Sequence, residues 1–191
     1  IGCYTLGTNQ RAVDTGIDMG AAITVASGLY HAYKLDGTRQ EIIATIGDST
    51  FIHSGITGLA DAVHNGARFV LVILDNETTA MTGMQPTLKN SKLAFGTADR
   101  TLSIENMVRA CGVEFVREAD PYDYEGMESL LKDAEAHTTA EDGGIAVIIA
   151  QRACVLYDSS PVKANPVRVE ITEECDGCKY CLVAFGCPAM V

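Results

Sequence analysis

The sequence predicts an α/β fold, a doubly wound and mostly parallel sheet, followed by a short cysteine-rich C-terminal extension. Three observations carry this. The runs Glu41–Ile46, Arg68–Leu74 and Ile145–Gln151 are apolar nearly throughout rather than alternating, as in strands buried on both faces. Stretches of helical character stand between the runs, which is the βαβ pattern of a parallel sheet covered on two sides. The first two runs end in the polar pairs Gly47-Asp48 and Asp75-Asn76, and open parallel sheets hold ligands at the carboxyl ends of their strands.

Taken in order, residues 1–14 read as loop and turn around Gly2 and Gly7. Thr15–His31 is rich in Ala, Gly and small apolar residues and predicts a helix packed closely on a sheet, despite Gly20 and Gly28. After the strand Glu41–Ile46, Asp48–His53 reads as loop. Ser54–His64 then reads as helix, with Ser54 as its N-cap and Asn65-Gly66 as its stop. The strand Arg68–Leu74 leads into Asn76–Arg100, which has little periodicity; loops that long in a compact domain are usually functional. A helix near Ser103–Cys111, a strand at Val113–Val116, a helix over Tyr122–Ala136 and the strand Ile145–Gln151 continue the alternation. The expected organisation is a sheet domain over 1–157, a linker over 158–169 with Pro161 and Pro166, and a cysteine segment over 170–191.

Composition bounds the function. The 191 residues carry 14 Lys+Arg against 25 Asp+Glu, a formal charge of −11, so the basic surface that a phosphate backbone needs is not expected and neither nucleic acid nor an anionic membrane is an expected partner. The longest apolar runs, Phe69–Leu74 and Ile145–Ala150, fall far short of the ~18 residues of a membrane span. The opening IGCYTLGTNQ has neither the basic nor the apolar region of a secretory signal. It also lacks an initiator Met, which suggests a start inside a longer protein. Of the 7 cysteines, Cys3, Cys111 and Cys154 are scattered while Cys175, Cys178, Cys181 and Cys187 crowd together. A tail cluster of this kind points to metal ligation in a reducing, cytoplasmic setting rather than to a disulfide framework.

If their strands are neighbours, Asp48 and Asn76 face one crevice. A carboxylate and an amide oxygen beside a diphosphate match what Mg²⁺ takes: one or two protein oxygens, with phosphate and water completing the shell. At these residues the sequence resembles the thiamine-diphosphate-binding domain, whose signature is Gly-Asp-Gly followed farther along by Asn-Asn. Here it reads Gly47-Asp48-Ser49 and then Asp75-Asn76, departing at Ser49 and Asp75. The longer run GDSTFIHSGI…ILDNETTAMTGMQP, with IGCYTLG and VDTGIDMGAAI before it, is similar to one branch, the alpha subunit of indolepyruvate ferredoxin oxidoreductase.

The resemblance implies a thiamine-diphosphate-binding fold with Asp48, Asn76 and the Thr78 carbonyl as Mg²⁺ ligands. Gly47, Ser49, Thr50 and groups around Thr82 would meet the diphosphate, because backbone and hydroxyl donors at a helix start suit an anion. Cys3 and Tyr4 would lie by the cofactor rings, and Met19-Gly20 would approach the thiazolium. Cys3 reads equally as a small buried apolar residue. His53 has two readings, a ring capping a backbone group or a catalytic proton shuttle beside the substrate. Met19, Met81 and Met84 read as packing, the last two in the loop that should roof the site.

The tail C-D-G-C-K-Y-C-L-V-A-F-G-C-P sets Cys175, Cys178 and Cys181 at ferredoxin spacing, with Cys187 before Pro188. The gap before Cys187 is longer than the ferredoxin pattern, and zinc is the competing ligand set. In two-cluster ferredoxins the fourth cysteine serves the other cluster; the resemblance implies a second motif beyond this one, so the segment is half of a [4Fe-4S] module and is expected to hold no complete cluster alone unless Cys187 folds back.

Together these imply part of an enzyme that oxidatively decarboxylates aryl 2-oxo acids such as indolepyruvate, passing electrons to ferredoxin and the acyl group to coenzyme A. The resemblance places the activating Glu on a partner pyrimidine-binding domain, alongside a beta subunit, so this chain alone is expected to be inactive. Two alternatives stay open: a non-oxidative 2-oxo acid decarboxylase, which would need no cysteine tail, and an electron-transfer or assembly module whose sheet domain binds no cofactor.

Overall fold

The computed structural model describes residues 7–8, 12–89, 93, 95–156, 158 and 170–183. Cys3, Tyr4, Cys187 and nearly all of the expected linker lie outside the described residues.

Helix α1 (Ala22–Leu35) leads to β1 (Ile43–Gly47), and a helix follows without a break. It begins with the turn Asp48–Thr50, widens into a π-helical segment over Phe51–Gly55 and continues as α2 (Ile56–His64). Then come β2 (Val70–Asp75), a 3₁₀ turn at Ala80–Thr82, α3 (Ile104–Ala110), β3 (Phe115–Ala119), α4 (Tyr124–Thr139), β4 (Ala146–Gln151) and, in the tail, α5 (Tyr180–Val183).

The four described strands form one sheet in the order β1-β2-β4-β3, every pairing parallel. Connection handedness fixes where the helices go. The steps from β1 to β2 and from β2 to β3 run the same way across the sheet, and the step from β3 back to β4 reverses. Right-handed crossovers therefore put α2 and α3 on one face and α4 on the other. The cores agree: Phe51, Leu59, Ile104 and Val108 pack with Ile46, Leu71, Ile73 and Ile149 on the first face, while Ala134 packs with Val70, Val72, Ala146 and Ile148 on the second. Ile23 and Ala26 of α1 join the first face. The doubly wound, parallel arrangement expected from the sequence is thus observed.

Three local expectations are corrected. The first helix starts at Ala22 rather than Thr15, because Gly20 sits at φ 99°, where no helix propagates, and it runs past His31 to Leu35. Asp48–His53 is helix, not loop, because Gly47, extended at φ −72° and ψ 153°, already serves as N-cap. Ser54 consequently lies inside the helix, its hydroxyl donating to the Thr50 carbonyl at 3.1 Å. The stop at Asn65-Gly66 is observed, with Asn65 as C-cap and Gly66 at φ 66°. Ser103 caps α3 by accepting from the Asn106 amide at 3.2 Å. The third strand begins two residues later than expected, at Phe115, after the Gly112 turn at φ 95°.

Candidate functional site

The site is built where β1 and β2 end side by side. Gly47 pairs in register with Leu74, so the next residues, Asp48 and Asp75, leave adjacent strands only one interstrand spacing, about 4.8 Å, apart. Asp48 opens the helix that Gly47 caps. The N-cap Gly47 brings no side-chain cap to this start, and the Ser49 amide turns to the Asp48 carboxyl, at the positive end of the helix dipole.

Asp48 is 2% exposed, and its Oδ2 is buried without a hydrogen-bond partner among the described residues. Burial pushes its carboxyl from 3.8 to about 6; the Ser49 amide opposes this, the Asp75 charge adds to it and Lys89 offsets part. An uncompensated carboxylate oxygen in a buried place is costly. It is explained if a cation completes it.

Facing it, the segment after β2 is held in a fixed shape. Glu77 takes φ 65°, a left-handed conformation uncommon for a residue with a Cβ. Its amide donates to Asp75 Oδ1 at 3.3 Å, and the Thr78 amide donates to Asn76 Oδ1 at 3.2 Å. Gln151 Nε2, at the end of β4, reaches Glu77 Oε1 at 3.5 Å. Thr79 and Gln85 then pair as a short antiparallel bridge around Gly83 at φ 117°. Within it the Thr78 hydroxyl donates to the Gln85 carbonyl at 3.0 Å, and Thr82 Oγ1 and Gln85 Oε1 meet at 2.6 Å. The Thr79 hydroxyl reaches Ser49 Oγ at 3.0 Å, tying the loop to the helix start. Lys89 Nζ forms an ion pair with Asp75 Oδ2, the Asp75 side chain being fully buried.

These groups fit a divalent cation on a diphosphate. The donor set is hard: an orphaned carboxylate oxygen, the Asn76 oxygen, which keeps a second lone pair beyond the Thr78 amide, and backbone carbonyls. The uncapped helix start suits the anion. Gly20 adds a close approach, since a Cβ there would overlap the Ser54 hydroxyl and come within 4.0 Å of Thr50. Met19-Gly20 therefore sits against the same helix, with Met19 55% exposed.

Of the residues expected from the sequence, Gly47, Asp48, Ser49, Thr50, Asn76 and Thr78 come together, with Gly20 alongside. Thr82 is exposed at the far end of the loop, engaged with Gln85. His53 is exposed in the π-helical segment. Met81 and Met84 are partly exposed in the loop, 46% and 40%. In the tail, Cys175, Cys178 and Cys181 are exposed, and among the described residues no three His, Cys, Asp or Glu side chains stand close enough to hold a metal ion. A cavity of about 570 Å³ lies at the opposite end of the sheet between Tyr33, Arg39, Arg68 and Glu135. It contains none of these groups, so the chemistry of the donors, not the size of a hollow, marks the site.

Sequence reading missed Lys89, Glu77, Thr79 and Ser54. For Lys89 a signal existed: a second carboxylate at Asp75, buried beside Asp48, requires a counter-charge, and Lys89 is the first cation that follows it. Nothing in sequence flags the left-handed Glu77.

The family described as thiamine pyrophosphate enzyme, C-terminal TPP binding domain, matches residues 1–150. Indolepyruvate oxidoreductase subunit IorA of Archaeoglobus fulgidus is 45% identical over 195 residues, and the same subunit of Methanothermobacter marburgensis is 43% identical over 193. Each match covers 100% of this chain, which spans 30% and 29% of those relatives. Among solved structures, 2-oxoglutarate:ferredoxin oxidoreductase from Magnetococcus marinus superposes with a TM-score of 0.64 at 17% identity, over 83% of this chain and 54% of that one. Benzoylformate decarboxylase from Polynucleobacter necessarius gives 0.50 at 16% identity, over 71% and 24%. At such identities these two likenesses speak to the fold alone. Matched over residues 1–150, the chain belongs to the thiamine pyrophosphate enzymes, as their C-terminal TPP-binding domain.

Proposed function

We propose that this chain is the diphosphate-anchoring part of a thiamine-dependent 2-oxo acid oxidoreductase acting on aryl 2-oxo acids of the indolepyruvate class, with ferredoxin as electron acceptor and coenzyme A as acyl acceptor. The observation that carries the reading is the buried Asp48 Oδ2, without a hydrogen-bond partner among the described residues, at a helix start just past the paired ends of β1 and β2, where Asn76 follows β2. The substrate class rests on the relatives' names and the electron route on the spacing of Cys175, Cys178 and Cys181.

Thiamine diphosphate, when bound, supplies the electron sink that decarboxylation of a 2-oxo acid needs. The chain's own residues do the anchoring. Asp48, Asn76 and the Thr78 carbonyl would hold Mg²⁺. The amides and hydroxyls of Ser49 and Thr50 would donate to the diphosphate, and Gly20 lets the Met19-Gly20 turn close on the helix. His53, exposed a turn beyond the anchor, is kept as a candidate proton carrier toward the substrate. Cys3 and Tyr4 remain candidates for the cofactor rings, and Cys175, Cys178, Cys181 and Cys187 for an iron–sulfur centre completed by further cysteines. A pyrimidine-binding domain and a beta subunit would complete the catalytic machinery, in a cytoplasmic enzyme.

Calorimetric titration with Mg²⁺ and thiamine diphosphate tests the anchor: saturable binding is expected for the wild-type chain and its loss for Asp48→Ala, whereas no binding to wild type overturns the reading. Reduction of viologen dye with indolepyruvate tests the chemistry. The assembled enzyme should show it and this chain alone should not; carbon dioxide release without dye reduction by the assembled enzyme would favour a non-oxidative decarboxylase.

A further inference from the structure

We propose that Lys89 is a positioning residue for the diphosphate, a built-in counter-charge and clasp that the site requires because Asp75 is a carboxylate; this rests on the cofactor reading above. Two carboxylates, Asp48 and Asp75, are buried at the ends of neighbouring strands, 2% and 1% exposed. Left as they are, they would present two negative charges to an anion in a poorly solvated crevice, where repulsion is strong. The two are treated differently. Both Asp75 oxygens are engaged, Oδ1 by the Glu77 amide at 3.3 Å and Oδ2 by Lys89 Nζ. Asp48 Oδ2 has no hydrogen-bond partner among the described residues. Lys89 thus neutralises the carboxylate that serves as scaffold and leaves the other for a cation.

The same pair closes a loop. Asp75 ends β2 and Lys89 lies beyond the Thr79–Gln85 bridge, so the ion pair fastens the base of the segment that carries Asn76, Thr78 and the Thr79 tie to Ser49. Lys89 itself is held low in the crevice, its side chain 23% exposed, and its amide donates to Oγ1 of the buried Thr87 at 3.4 Å. A surface lysine on a free loop would show none of this.

The test is a double-mutant cycle read by calorimetry of Mg²⁺–thiamine diphosphate binding, with thermal unfolding of each cofactor-free chain beside it. Lys89→Met is expected to weaken binding about 10- to 100-fold, the usual range for a residue that orients the ligands of a site, and Lys89→Arg to keep it within about 3-fold. In an Asp75→Asn background, which removes the charge to be neutralised, Lys89→Met is expected to change affinity by less than about 3-fold. The conditional effect separates a counter-charge from simple loop packing, which Lys89→Met would damage in either background. Should Lys89→Met alone fail to fold, the comparison of Asp75→Asn with Asp75→Asn/Lys89→Met still decides, since a loss above about 10-fold there overturns the proposal. Wild-type affinity in Lys89→Met overturns it too, and leaves the cofactor reading standing. Absence of binding by wild type removes both.

Discussion

Replacing Asp48 by Asn is expected to stabilise the cofactor-free chain at pH 8 while abolishing its response to Mg²⁺ and thiamine diphosphate. Burial is the main reason that the Asp48 carboxyl rises from 3.8 to about 6. A pKa unit is worth about 1.4 kcal/mol, so the ionised group costs the folded state at most about 3 kcal/mol, and about 2 kcal/mol once screening at the mouth of the site is allowed for. The folded-state value lies above the unfolded one, so the proton is held more tightly by the folded chain. Its contribution to stability is fully present below about 3.8 and is lost as pH rises through about 6. Asn carries no charge and loses nothing over that window. In a chain of this length 1 kcal/mol moves Tm by about 2–4 °C, so Asp48→Asn should melt about 4–8 °C above wild type at pH 8, with most of the difference gone at pH 4. Circular dichroism melts in chelator at the two pH values measure this, every other carboxylate cancelling in the comparison. Cofactor at a hundred times its Kd should then raise wild-type stability by about 2.7 kcal/mol and leave the variant where it was. A variant that melts below wild type by the same amount at both pH values would refute the reasoning, because it would mean that Asp48 acts as a structural hydrogen-bonding group and not as an uncompensated charge.

Two further outcomes follow from the geometry. Gly20→Ala should cost about 1–3 kcal/mol in thermal unfolding, since φ 99° is strained for any side chain and the new methyl overlaps the Ser54 hydroxyl; adding Ser54→Gly should recover the steric part and leave the conformational part. Asn76→Ala should lower Mg²⁺-dependent affinity for thiamine diphosphate about 10- to 100-fold by calorimetry, while Tm without cofactor falls by only a few degrees, because the Thr78 amide alone loses its acceptor.

The sheet was legible because burial on both faces leaves a mark that periodicity detects: β2 and β4 are buried almost from end to end, and both read as uninterrupted apolar runs. The helix after β1 was only half legible. Ser54 has the residue type of an N-cap, but the position was already lost to Gly47, whose extended backbone lets the chain turn directly into helix at Asp48. The π-helical widening over Phe51–Gly55 has no sequence signature of its own. It reflects tertiary packing, since a Cβ at Gly55 would come within 2.9 Å of both Ile46 Cδ1 and Phe51 Cδ2, and such bulges recur at functional sites. Asp48 and Asn76 were singled out from their places at strand ends, and the structure sets them at the ends of β1 and β2. Lys89 was not, because its partner is 14 positions away and the contact exists only once the loop has closed.

Register explains why so few residues suffice to build the anchor. β1 and β2 are parallel and paired from Ile43↔Val70 through Gly47↔Leu74, so both polar pairs emerge at one level of the sheet. A slip of one residue would turn every side chain of β1 to the opposite face, exposing Ala44 and Ile46, which pack under the first helical layer. The apolar core therefore enforces the alignment that brings Asp48 beside Asp75. The cost of that enforced proximity is electrostatic, and it is met unequally: Lys89 pairs directly with one carboxylate, while the other keeps an oxygen without a hydrogen-bond partner among the described residues. On the proposed reading, the paired oxygens serve as scaffold and the unpartnered one is left for a cation. Hydrophobic burial far from the chemistry, acting through strand register, thus sets the charge pattern on which the cofactor would act.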